Sequence, residues 1–239
     1  MKPKTIFWLT VFAVSMGFFE SAIVIYLREI IYPNGFAFPL QPVERRLATT
    51  EILREAFSLL MLLSVGILTG KSTTTRFAYF LYSFAVWDIF YYIFLKILIN
   101  WPESLITMDI LFLLPVTWVG PVIAPIILSF LMILLALLIL YFSARNEHVH
   151  LKAHELVMLI TGSVIIIISF TQDYIRFIIS HYSAADIWSL QAKDILKLSV
   201  QYYPENFYWP IFIVGFVFIL IGIGLFTKRN ILLIKDRLQ

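Results

Sequence analysis

The 239-residue chain contains no cysteine. Disulfide bridges, thiolate metal sites and cysteine nucleophiles are therefore excluded. Charge is also scarce. Asp, Glu, Lys and Arg make up 14% of the residues, while 61% are hydrophobic. A water-soluble domain is nearer one quarter charged and one half apolar. At a mean hydropathy of +0.90, this chain would expose far more apolar surface in water than a soluble monomer tolerates. Its natural solvent is the bilayer. There is no Walker A loop, no GxSxG, no HExxH and no mid-span lysine of the retinal-binding kind. No basic stripe or nucleic-acid motif is present, and a net charge of +3 is small. No internal repeat or interdomain linker is visible, so residues 1–239 read as one transmembrane domain.

What is present in abundance is long apolar runs. Crossing a hydrocarbon core of about 30 Å takes about 20 helical residues. Six segments qualify: Thr5–Ile31, Thr49–Gly70, Arg76–Ile99, Val119–Ala144, His154–Ser180 and Tyr208–Thr227. The first resembles a signal peptide at "MKPK". However, its apolar character continues past Glu20 through "SAIVIYL", longer than the roughly 7–15 residues of a signal core. It reads as a retained span. The stretch Ser104–Trp118, "SLITMDILFLLPVTW", is apolar but short. Pro115, Pro121 and Pro125 disfavour a continuous helix across it. It is expected to be an interfacial or re-entrant helix, with a seventh span as the alternative. The fold class is thus an all-α polytopic bundle of six transmembrane helices plus that short helix.

Positive charge orients the bundle. With the N-terminus inside, ten Lys and Arg residues flank the inner ends and seven the outer ends, which places both termini in the cytoplasm of a cell membrane. Two outer loops have substance. Tyr32–Ala48 holds three prolines. In the other, Ile187, Leu190, Ile195 and Leu198 approximate helical spacing, which predicts an amphipathic surface helix.

Ionisable groups inside spans cost several kcal/mol unless paired, wet or near an interface. Here they gather at one depth. Glu20 lies roughly 10 Å below the outer end of span one and Glu55 roughly 8 Å below that of span two. Asp88 is nearer mid-span, and Asp173 sits roughly 5–10 Å below the outer surface in span five. Glu51, Arg54 and Glu55 share a helix face at i, i+3 and i+4, as do Asp173 and Arg176 at i, i+3. Arg28 reaches down from the mouth of span one. Tyr91, Tyr92, Tyr174, Gln172 and His181 add hydrogen-bonding groups. The pattern predicts a polar pocket opening away from the cytoplasm. Within it Glu20, Glu55, Asp88 or Asp173 serves as acid or base, and Arg28, Arg54 and Arg176 hold a negative group. Arginine forks suit carboxylate or phosphate, so the expected guest is lipid-like or anionic. The arginines would repel a metal cation, and no metal is assigned. The bland account is that these charges simply pair with one another. A proton- or ion-coupled carrier, or a scaffold subunit of a membrane complex, are the other readings.

Two further patterns carry weaker signals. "RNEHVHLKAHE" contains His148, His150 and His154, a combination able to ligate zinc, at a turn where solvated polar residues are expected anyway. The glycines Gly66, Gly70, Gly215, Gly222 and Gly224 permit close helix contact, within the bundle or in an oligomer.

Overall fold

The computed structural model describes residues 3–33, 35–114, 116–146, 148–182, 198–204 and 206–236. Among these, six helices are long and apolar enough to cross a membrane. They are α1 (Pro3–Ile31), α2 (Arg45–Thr69), α3 (Thr73–Ile99), α4 (Ile123–Ser143), α5 (Ala153–His181) and α6 (Trp209–Asp236). The protein is a multi-pass integral membrane protein built as an all-α bundle. Large apolar side chains point outward from the helices, with Leu68 85% and Ile97 70% exposed. In water this would be a defect; in lipid it is the solvated surface.

Local chemistry sets the helix ends. Ser72 caps α3: the Thr75 N–H donates to Ser72 Oγ at 3.2 Å, and the Ser72 N–H to Thr75 Oγ1 at 3.0 Å. At the other end Asn100 adopts a left-handed φ of 52°, followed by Pro102, which has no N–H with which to continue a helix. The tight α2–α3 turn needs Gly70, where a Cβ would lie 2.4 Å from the Arg76 nitrogen.

Helices α1 and α2 pack on α3, which packs on α4. Helices α5 and α6 form a close pair, because Gly162 and Gly215 face each other. A Cβ on Gly162 would stand 2.7 Å from the Gly215 carbonyl oxygen. Gly66 and Gly222 likewise abut neighbouring helices, while Gly224 has no such neighbour. The half of the bundle holding the termini has an apolar core that includes Leu9, Ala13, Ala78, Leu135, Ile139 and Phe226.

The stretch expected to be a short helix over Ser104–Trp118 is instead a β-hairpin. Strand β1 (Met108–Phe112) pairs antiparallel with β2 (Trp118–Pro121), with Asp109 opposite Gly120 and a bulge between Ile110 and Phe112. Ile110 and Phe112 on β1 and Trp118 and Val119 on β2 are β-branched or aromatic and suit a pleated surface. Gly120 lets the hairpin seat against α5, since a Cβ there would meet the Phe170 ring at 2.9 Å. Span four consequently begins at Ile123 rather than Val119, with Pro125 in its first turn, where no intrahelical N–H bond is lost. The sixth helix runs past Thr227 to Asp236. The predicted surface helix over Ile187–Leu198 lies outside the described residues, apart from Leu198, which is buried.

Candidate functional site

The polar side chains of α1, α2, α3 and the hairpin form one network in the half of the bundle opposite the termini. Its first node is Arg54. One turn earlier on α2, Glu51 meets it with both oxygens: Arg54 Nε donates to Oε2 at 2.9 Å and Nη2 to Oε1 at 2.5 Å. Arg54 Nη1 crosses to Glu20 Oε1 on α1. Every nitrogen of the guanidinium is thereby engaged, and Glu20 is buried. Glu55, on the next position of α2, is buried as well, within electrostatic reach of Arg54, Glu51 and Glu20. Its Oε2 accepts the backbone N–H of Leu113 at 2.9 Å, just beyond β1. Non-helical backbone at membrane depth needs such a partner.

The second node is Asp109 on β1, which is 2% exposed. Arg28 Nη2 lies 3.3 Å from its Oδ1, and the Tyr92 hydroxyl donates to Oδ2 at 3.2 Å. Burial pushes the Asp109 carboxyl up to about 6, the Arg28 charge and the Tyr92 hydrogen bond offsetting only part of it. The Arg28 guanidinium is wedged between aromatic rings, 3.8 Å from the Trp101 centroid and 4.6 Å from that of Phe36. Its Nη1 is buried without an acceptor among the described residues. Tyr91 stands between the two nodes, within electrostatic reach of Glu20 and Arg54 on one side and of Arg28 and Asp109 on the other. Asp88, one turn deeper on α3, accepts from the Ser129 hydroxyl on α4 at 2.8 Å and feels Asp109. A cleft of about 250 Å³ opens at the surface beside this node, lined by Ile25, Arg28, Glu29, Tyr32, Phe36 and Trp101 among others.

The remaining predicted residues occupy a separate place on α5. The Tyr202 hydroxyl donates to Asp173 Oδ2 at 2.7 Å. Burial, then the bond to Asp173, push the Tyr202 hydroxyl above its ordinary range, so it remains a donor. Arg176 is exposed and engages Tyr208 rather than Asp173, donating to its hydroxyl at 2.5 Å. His181 is exposed with Nδ1 2.9 Å from the Phe177 carbonyl oxygen. Gln172 is buried and its Nε2 has no acceptor among the described residues. Glu20, Glu55 and Asp88 are thus brought into one network with Arg28, Arg54 and Tyr91, while Asp173, Arg176, Gln172 and His181 share its depth but not its contacts.

Four residues with polar partners escaped the sequence reading. Asp109 sat in a stretch read as helix, where it was one acid in an apolar run. Ser129 is a small hydroxyl in an apolar span. Glu155 and Arg229 form a further buried pair near the termini, at 2.7 and 2.9 Å, and only the long α6 brings Arg229 there. Among the described residues, no three His, Asp or Glu side chains converge in a metal-ligand group. His150 Nδ1 instead sits 2.9 Å from the His148 carbonyl oxygen. Comparisons with protein-family models, curated proteins and solved structures returned no match.

Proposed function

We propose that the protein is a membrane-embedded acid–base site, in an enzyme or binding protein, that takes the polar end of an amphiphilic ligand from the leaflet on the hairpin side. The observation that carries this reading is the charge count of the network. Among the described residues, Glu20, Glu51, Glu55, Asp88 and Asp109 share it with two guanidiniums, Arg28 and Arg54. In a weakly polarisable interior that many carboxylates do not ionise together beside so few cations. Some therefore hold protons, and a carboxyl that gives and takes a proton beside a guanidinium is the equipment of general acid–base chemistry.

Arg54 is saturated by Glu20 and Glu51, so its role is to hold those carboxyls rather than a ligand. Arg28, at the cleft and with an unpartnered nitrogen, is the cation that addresses an acidic head group. Arg176, on the exposed face of α5, is a second contact for such a group outside the network. The excess of Lys and Arg at the termini side supports a cell-membrane topology with both termini cytoplasmic and the cleft facing outward.

A proton-coupled carrier would need a polar route to the other face. Helices α1 to α6 carry no Asp, Glu, Lys, Arg or His in the bundle layer between the network and the termini-side ends, which favours access from one side. A panel of single-chain amphiphiles tests the proposal: a fatty acid, an alkyl phosphate, an alkyl amine and an alkyl alcohol, each titrated into reconstituted protein while tryptophan emission is followed, since Trp101 lines the cleft. Saturable quenching by an acidic member is expected, weakened about tenfold or more in Arg28→Gln because a charged hydrogen bond is lost. No saturable response to any member would remove the reading.

A further inference from the structure

The termini-side end carries a second cleft, of about 340 Å³, between the end of α4, the loop after it and α6. Phe142, Val149, Leu233 and Ile234 form its apolar walls, and Arg145, Asn146 and Asn230 are its polar lining. Phe142, Val149 and Asn230 are buried, whereas Arg145 and Leu233 are exposed at its rim. Arg145, just past α4, is held in place by the last turn of that helix. Its guanidinium carbon lies 3.6 Å from the Tyr141 ring centroid, and Nη1 donates to the Tyr141 carbonyl oxygen at 3.3 Å. The surroundings are strongly basic: Lys71, Arg76, Lys152, Lys228 and Lys235 lie at the same end. Among the described residues there, the acids are Glu155 and Asp236, and Glu155 is already paired with Arg229.

The position of the cleft narrows its occupant. It lies where spanning helices leave the apolar layer, and α6 presents the exposed Leu233 at its rim, with Ile234 beside it. A soluble anion would match the arginine but not the apolar walls. A neutral lipid would match the walls but leave the basic rim unanswered. A molecule with an anionic head and apolar tails matches both, and basic pockets between helices at such a boundary suit acidic lipid head groups.

We propose that this cleft is a binding site for an anionic glycerophospholipid of the termini-side leaflet. Arg145 meets the phosphate and the acyl chains run along Leu233 and Ile234. The site is independent of the carboxyl network and does not require it to function.

The test is lipid retention by the full-length protein in native mass spectrometry. The protein is equilibrated with equal amounts of phosphatidylglycerol and phosphatidylcholine of matched chains. Wild type is expected to keep phosphatidylglycerol about fivefold over phosphatidylcholine, as one favourable basic contact implies. Arg145→Glu is expected to abolish the preference. Leu233→Trp, which narrows the cleft without changing charge, is expected to lower retention of both lipids. Both positions are exposed, so neither substitution disturbs the core. Lys71→Glu makes the same charge change on the same face away from the cleft and is expected to leave the preference intact. No preference in wild type, or an equal loss in Lys71→Glu and Arg145→Glu, would overturn the site, the latter by showing that diffuse surface charge suffices.

Discussion

At the scale of single residues, each network carboxyl can be separated into what it holds and what it titrates. Glu55 accepts the Leu113 amide hydrogen. Glu55→Gln keeps an acceptor at that place and is expected to melt close to wild type in detergent. Glu55→Ala orphans a buried amide and should cost about 1–3 kcal/mol, read as a lower melting temperature. Asp109 is a pH probe. Its folded carboxyl titrates near 6, above the ordinary 3.8, so the folded state holds a proton that the unfolded chain has released. The stability this lends is complete below about pH 4 and is lost as pH rises through about 6, on the order of 2–3 kcal/mol. Melting curves across that window should fall for wild type and run flatter for Asp109→Asn. Equal slopes would show that Asp109 titrates as it does in water.

At the scale of elements, most of the architecture was legible because six spans of apolar sequence have one solution in lipid, and the acids within them were conspicuous for being expensive there. The hairpin was not legible. Its strands are five and four residues long, too brief for a period-two pattern to outweigh an apolar run. What stabilises it comes from far along the chain, through Glu55, Arg28 and Tyr92. The same distance explains why Asp109 was overlooked while its partner Arg28 was singled out. The division of the acids between α1–α3 and α5 was equally hidden, since depth follows from counting residues but azimuth around the bundle does not. The glycines were read for close contact, and the structure distinguishes among them. Gly215→Ala drives a methyl against Ile166 and the Gly162 carbonyl and should destabilise by about 1–3 kcal/mol. Gly224→Ala meets nothing within 4 Å and should be neutral or slightly stabilising, because alanine is the better helix former. Thermal melts of the two variants side by side decide this.

At the scale of the whole molecule, the bundle is divided by depth. The termini-side layer is packed with apolar side chains, and the opposite layer gathers acids around a hairpin that packs on α5. On the proposed reading, this division turns a set of ion pairs into a site entered from the hairpin side. It depends on protons being stored where carboxyls outnumber guanidiniums, and that storage can be observed directly. Infrared difference spectra of the reconstituted protein, recorded while the pH is stepped upward through neutrality, report the carbonyl stretch of protonated carboxyl groups. The account predicts a protonated-carboxyl band that persists to neutral pH, shifts on deuteration, and loses intensity in Glu55→Gln or Asp88→Asn. A wild-type spectrum without that band near neutrality, with every carboxyl already ionised, would contradict it.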